Sequence, residues 1–238
     1  MKAIVINKEN KSLSYTDVPN PFIKTGEVLI EVYTAALNRA DLFQREIENI
    51  YRLKVPFETI YTSVFLVKTE GGNVLVDCAT YASDVDEYIL PALNQLGLHL
   101  TDIACLILTH YHSDHAGGKA RILELVPNMK IVQNEGGNLL SDISVYALKG
   151  HTLDCIGVFD KKSKTLITGD GLQGAGIGKY RCSLESKDEY LKTIEKIGNN
   201  ESIENILFSH EYEPWYKDGA FGREEVKKCL DDCKKYIM

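Results

Sequence analysis

The sequence predicts a mixed α/β fold in which stacked β-sheets are covered by helices. Three observations carry that expectation. Short apolar runs rich in β-branched residues, such as Thr62–Lys68 and Ile103–Leu108, recur between turn residues. Helical spacing is confined to a few separate segments, as at Val85, Ile89, Leu93 and Leu96. The order is strands, one helix, then alternating strands and helices, which suits layered sheets with helices on their faces.

The elements follow in order. Lys2–Asn7 and Ser12–Asp17 read as strands, the second broken by Pro19-Asn20-Pro21. Lys24-Thr25-Gly26 turns the chain into a strand over Glu27–Val32, and Asn38–Glu46 reads as helical or irregular. Ile50–Lys54, Thr62–Lys68 and Asn73–Asp77 read as three strands, the last two joined by Glu70-Gly71-Gly72. A helix over Asp84–Leu96 stops at Gly97 and is expected to kink at Pro91, which lacks an N–H and crowds the preceding turn. Ile103–Thr109 is a buried strand, Lys119–Leu125 a short helix, and Lys130–Gln133 and Ser144–Leu148 are strands. Cys155–Asp160 and Lys164–Thr168 form a hairpin around Lys161-Lys162-Ser163. Ser186-Lys187-Asp188-Glu189 is a capping box that opens a helix to about Ile197. Ile206–Ser209 is the last strand and Arg223–Tyr236 the last helix.

Composition narrows the function classes. The chain has 238 residues, 44% apolar and 26% charged, an ordinary globular mix with enough length for one large domain or two small ones. The net charge is -7, so nothing attracts a phosphate backbone, and no nucleic-acid partner is expected. The longest apolar run, Ile103 to Leu108, is far short of the roughly 20 residues that a membrane helix needs. The N-terminal apolar stretch is too short for a secretory signal. None of the six cysteines forms a CxxC pair, which points to reduced thiols in a cytoplasmic protein.

Chemistry concentrates in Thr109-His110-Tyr111-His112-Ser113-Asp114-His115. Random draws at this composition would give HxHxDH in roughly a few chains per ten thousand. Imidazole and carboxylate are ligands for zinc and similar divalent ions. His110 ends an apolar strand, and His112, two residues on, can point the same way. Asp114 and His115 fall where the next helix begins. Three further candidates also sit at or just past strand ends: His151, Asp170 after Leu166-Ile167-Thr168-Gly169, and His210 after Leu207-Phe208-Ser209. Strand ends along one edge can converge, giving seven ligands for two metals. His99 fits no motif. Asp77 also follows a strand, where support of the ligands and capping of a turn are rival readings.

From about residue 47 to 238 the chain resembles a metallo-β-lactamase-fold hydrolase. The matching pieces are Leu75-Val76-Asp77, the run from Leu108 through Gly118, Gly150-His151-Thr152, Thr168-Gly169-Asp170 and Ser209-His210. The resemblance implies a four-layer αββα sandwich with metals at one edge. It implies that His110, His112 and His151 hold one ion, that Asp114, His115 and His210 hold a second, and that Asp170 bridges them. The implied cofactors are two Zn²⁺, with iron or manganese as substitutes. The implied reaction is attack by a hydroxide shared between the ions on a small ester, thioester or lactone, with Asp114 and Asp170 as the catalytic carboxylates. Hydroxyacylglutathione hydrolases of this family carry a helical C-terminal domain, and the 28 residues after His210 are too few for one. A minimal lactonase, esterase or thioesterase is therefore expected. The partner expected is a small-molecule substrate, and the sequence leaves room for a homodimer. Tyr180 and Tyr212, with Trp215, are candidates for the substrate pocket.

Residues 1–46 resemble something else, the start of a medium-chain quinone oxidoreductase or zinc-type alcohol dehydrogenase. The carrying residues are Met1-Lys2-Ala3-Ile4, Thr25-Gly26-Glu27-Val28-Leu29-Ile30-Glu31-Val32 and Ala36-Leu37-Asn38-Arg39-Ala40-Asp41-Leu42. The chain thus reads as a chimera joined near Glu46, with a short β-rich extension ahead of a hydrolase domain over 47–238. The extension lacks the rest of the barrel and the whole nucleotide-binding domain, so an NADPH oxidoreductase is a weak rival. A mononuclear iron dioxygenase acting on persulfides is a stronger one. It would need His110, His112 and Asp170 as ligands, and metal identity separates it from the hydrolase. A non-catalytic binding protein would have no need of the complete ligand set.

Overall fold

Strict alternation in the central strands sets the architecture. On the strand Ile60–Thr69, Val64 and Leu66 face one apolar cluster while Phe65 and Val67 face another. A strand whose two faces are both buried must sit inside a stack, with a layer on each side. The computed structural model describes residues 2–6, 13–17, 43–134, 136–174, 183–212, 217–235 and 237.

The chain divides into two compact units, Met1–Asn38 and Arg39–Met238. In the first, β1 (Lys2–Ile6) and β2 (Leu13–Asp17) pair antiparallel with Lys2 opposite Asp17. The strand expected over Glu27–Val32 lies outside the described residues.

The second unit holds two six-stranded sheets. The first is ordered β3 (Gln44–Ile47), β4 (Ile50–Phe57), β5 (Ile60–Thr69), β6 (Gly72–Val76), β7 (Ile103–Ile107), β8 (Ile131–Val132). The second is ordered β14 (Gly219–Phe221), β13 (Asn205–Leu207), β12 (Thr165–Ile167), β11 (Ile156–Asp160), β10 (Ile143–Ala147), β9 (Gly137–Asn138). Each sheet is thus built from one continuous stretch of chain. Pairing is mostly antiparallel, but β6, β7 and β8 run parallel, as do β12 and β13.

Three apolar clusters fill the three gaps between layers. One packs Val85, Ile89, Leu93 and Ile122 of the first helical layer onto Leu53, Leu66, Leu75 and Leu106. A second lies between the sheets, with Phe65, Val67, Val76 and Ile107 against Val145, Val158, Ile167 and Leu207. The third packs α5 (Lys187–Gly198) and α6 (Arg223–Lys235) onto Phe159, Leu166, Ile206 and Phe208. The result is the αββα sandwich. Each fully buried aliphatic or aromatic side chain in these clusters contributes about 1.5–3 kcal/mol.

Departures from the sequence expectation have local causes. Gln44–Ile47 is a strand, although Asn38–Glu46 is expected to be helical or irregular, because the polar pair Glu48-Asn49 folds it back on β4 with Arg45 opposite Tyr51. The helix expected over Asp84–Leu96 begins earlier, at α1 (Ala82–Asp84), where Asp84 accepts the Thr80 and Tyr81 N–H groups. It then widens into a π-helical stretch, Val85–Ile89, before α2 (Leu90–Gln95). There the Leu90 N–H reaches Val85, one residue further back than in an α-helix. That wider turn relieves the crowding Pro91 would cause, so the expected distortion takes the form of a π-turn. Among the described residues, no helix is long and apolar enough to cross a membrane. The five described cysteines, Cys78, Cys105, Cys155, Cys229 and Cys233, are free thiols.

Candidate metal centre

The candidate ligands sit where strands end at one edge of the sandwich. β7 leads through Leu108 and Thr109 to His110. His112 then caps a single turn, α3 (Ser113–Ala116), that carries Asp114 and His115. This turn is laced to the end of β6: Cys78 N–H donates to the His115 carbonyl at 2.8 Å and Gly117 N–H to the Ala79 carbonyl at 3.0 Å. A Cβ at Gly117 would lie 1.8 Å from the Thr80 carbonyl oxygen, so only glycine lets the segments approach this closely. Past β12, Asp170 stands in a 3₁₀ turn, Gly169–Gly171. His151 follows β10, and His210 follows β13.

Four imidazoles are oriented by partners behind them. The Nδ1–H of His210 donates to the Tyr61 carbonyl at 2.7 Å, and that of His151 to the Ser183 carbonyl at 2.7 Å. His115 Nδ1–H donates to Asp77 Oδ2 at 2.8 Å. Thr109 Oγ1 donates to the same carboxylate oxygen at 2.8 Å, which leaves its lone pair for His110 Nδ1–H at 3.2 Å. Every one of these bonds turns Nε2, with its lone pair, toward the common edge.

Two sets of inward atoms result. His110, His112 and His151 form one, and Asp114, His115, Asp170 and His210 form the other; within each set the ligand atoms lie within 4.8 Å of one another. His151 Nε2 faces His112 Nδ1 at 3.0 Å, and His115 Nε2 faces His210 Nε2 at 3.2 Å. Asp114 Oδ2 lies 3.2 Å from His210 Nε2 and 3.4 Å from His115 Nε2. Asp170 spans the sets. Its Oδ1 lies 3.2 Å from His210 Nε2 and 3.5 Å from His115 Nε2, and its Oδ2 lies 3.6 Å from His151 Nε2.

The electrostatics call for cations. Burial, with the His115 charge beside it, pushes His110 down to about 2, so its imidazole stays neutral. Its Nε2 is buried without a hydrogen-bond partner, and so is Asp170 Oδ1. Burial also lowers His151. In the second set burial acts against charge, yet Asp170 and Asp114 outweigh it and raise His210 to about 9 and His115 well above its ordinary value. Both carboxylates are held well below the usual range by these two histidines, against burial. In the first set the inward nitrogens of His151 and His112 stand 3.0 Å apart with Asp170 Oδ2 3.6 Å from His151, a geometry that a cation between them satisfies. Two ligand atoms at about 2.0–2.2 Å from one tetrahedral ion stand roughly 3.3–3.6 Å apart, close to the spacings found here. The donor set of imidazole and carboxylate fits zinc or a similar divalent ion.

All seven residues expected as ligands are thus brought together. Of the pocket candidates, the Tyr212 ring lies 5.6 Å from the His210 ring, while Tyr180 and Trp215 lie outside the described residues. His99 is apart from the site, its backbone N–H donating to Asp102. Asp77 is a support: buried, at φ +61°, it holds both His115 and Thr109. The Tyr61 and Ser183 carbonyls were not anticipated, because a backbone group leaves no mark in a sequence.

Residues 58–142 match the family model of the metallo-beta-lactamase superfamily. A hydroxyacylglutathione hydrolase of Bdellovibrio bacteriovorus is 29% identical over 140 residues, 51% of this chain and 55% of that protein. An atrochrysone carboxyl ACP thioesterase of Pseudocercospora fijiensis is 26% identical over 154 residues, 56% of this chain and 45% of that protein. The chain spans about half the length of these relatives. Among solved structures, a metallo-beta-lactamase of Pseudomonas aeruginosa in its mono-zinc form superposes with a TM-score of 0.64 at 15% identity, covering 82% of this chain and 96% of that one. One from Erythrobacter litoralis, with beta-mercaptoethanol in its active site, gives 0.61 at 17% identity, covering 81% and 96%. These likenesses establish the fold.

Proposed function

We propose that this chain, which matches the metallo-beta-lactamase superfamily model over residues 58–142, is a binuclear, zinc-dependent hydrolase of a small ester, thioester or lactone. The observation that carries the reading is the pair of adjoining ligand sets with one carboxylate, Asp170, facing both. The names of the two curated relatives favour a thioester among the three substrate classes.

His110, His112 and His151 would hold one ion, and Asp114, His115 and His210 the other, with Asp170 shared. Divalent ions bound there supply Lewis acidity, which lowers the pKa of water toward 7 and polarises a carbonyl. The protein's own part is orientation. The carbonyls of Tyr61 and Ser183, the Asp77 carboxylate and the Thr109 hydroxyl fix four imidazoles with the lone pair inward, so no reorganisation is needed when an ion arrives. Five of the seven ligand residues, His110, His115, His151, Asp170 and His210, are buried, which strengthens charge interactions among them. Asp170, held ionised beside His115 and His210, stands as a carboxylate ligand and hydrogen-bond acceptor at the edge between the sets. No serine or cysteine nucleophile is required.

Elemental analysis of protein purified without added metal or chelator tests the proposal. Close to two zinc ions per chain, followed by turnover on a panel of thioesters, esters and lactones, is the expected result. About one iron per chain would favour the persulfide dioxygenase instead. A protein that carries no metal and takes up none on reconstitution would overturn the reading.

A further inference from the structure

Away from both ligand sets lies a buried guanidinium that the proposed chemistry does not use. Arg52, on β4, is fully buried, a position costly for a charge unless partners compensate. Its two shortest contacts go to one residue. Nη1 lies 2.8 Å from Asp218 Oδ2, and Nη2 donates to the Asp218 backbone carbonyl at 2.8 Å. Nε lies 3.4 Å from Glu46, and the guanidinium stacks 5.0 Å from the Phe65 ring centre. The Asp218 carboxylate also takes Lys54 at 2.9 Å, and the single Tyr61 hydroxyl proton is shared between Asp218 Oδ2 at 3.0 Å and Glu211 Oε2 at 3.1 Å.

What this cluster grips is the chain that bears His210. Asp218 lies eight residues after His210 and Glu211 directly after it. The same Asp218 carbonyl that Arg52 holds accepts the Phe208 N–H at 2.9 Å, two residues before His210. Tyr61 acts twice, its carbonyl on the His210 Nδ1–H and its hydroxyl on Glu211 and Asp218. Neighbouring residues of β5 add further ties: Ser63 donates to the Ser209 carbonyl at 2.7 Å and Thr62 to the Asp114 carbonyl at 2.9 Å. The first set rests on other supports, Thr109 and Ser183.

We propose that Arg52, acting through Asp218 and Tyr61, is a positioning residue for His210, and that this brace sets the affinity of the second metal position independently of the first. The inference rests on the binuclear reading above. It places control of occupancy, one ion or two, in side chains that touch neither ion. Such supporting partners typically change metal affinity 10–100-fold.

The test is zinc titration of the full chain, with stoichiometry after dialysis read by elemental analysis. The variants are Arg52→Met, which keeps bulk but removes charge, and Tyr61→Phe, which keeps the carbonyl bond to His210 and removes only the hydroxyl. Both are expected to weaken the second zinc by roughly tenfold or more, with the first unchanged within about twofold, so that dialysed protein retains one ion. Thermal melting of the metal-free proteins separates this from a general loss of structure. A lower melting temperature with both affinities intact, or equal weakening of both sites, would overturn the proposal. If Arg52→Met fails to fold, Tyr61→Phe decides alone. A wild-type chain that binds no zinc would refute the binuclear reading instead.

Discussion

Asp77 sits at φ +61°, a conformation costing a non-glycine residue of order 1–2 kcal/mol, and spends that strain on three hydrogen bonds. Asp77→Ala should weaken zinc binding about 10–100-fold in a chelator competition, since His115 loses its acceptor and Thr109 its anchor. Asp170→Ala should behave differently. It leaves His110, His112 and His151 intact, so one ion should remain bound while turnover on the best substrate of the panel vanishes; wild-type turnover in that variant would refute its central role. At this scale the sequence was informative where chemistry demands rare residues. HxHxDH, His151, Asp170 and His210 were all legible because imidazoles and carboxylates at strand ends have few other uses. The carbonyls behind them were not, since any residue type can supply a backbone oxygen. Arg52 was hidden for a related reason: a charged residue in a strand reads as a solvent-facing position, and only tertiary partners make its burial tolerable.

Among the elements, the longer strands and helices were legible from apolar periodicity, and the Ser186 cap marked the start of α5 correctly, its hydroxyl accepting the Glu189 N–H. β9 and β14 were missed, being two and three residues long and containing glycine, too short to show any period. The π-helical stretch has no compositional mark beyond the proline that follows it. Close approach between elements is the feature the sequence states least directly. Gly169 has φ +55°, and a Cβ there would meet Thr109 Oγ1 at 2.5 Å, against the hydroxyl that backs His110. Gly169→Ala should therefore cost roughly 1–3 kcal/mol in urea unfolding and also lower zinc affinity, a coupling that a remote surface substitution would not show.

For the molecule as a whole, the division of the chain at Asn38 and Arg39 gives two truncations with different outcomes. Removing residues 1–38 should leave the melting temperature nearly unchanged, because Arg39–Met238 is compact in itself. Removing residues 1–46 also deletes most of β3, the buried Phe43 and the Glu46 partner of Arg52, and should lower it by roughly 5 °C or more. A scanning calorimeter distinguishes the two. The second cut follows the join that the sequence suggested near Glu46.

Each sheet comes from one uninterrupted half of the chain, and each ligand set borrows from both. His110, His112, Asp114 and His115 precede β9, whereas His151, Asp170 and His210 follow it. Severed between β8 and β9, neither fragment would own a complete coordination sphere. The two pieces would then be joined by their common apolar face and by whatever ions the site holds, so a chelator should weaken their reunion. An ion held there would in this sense clasp the two halves together, and its occupancy would report whether they have met.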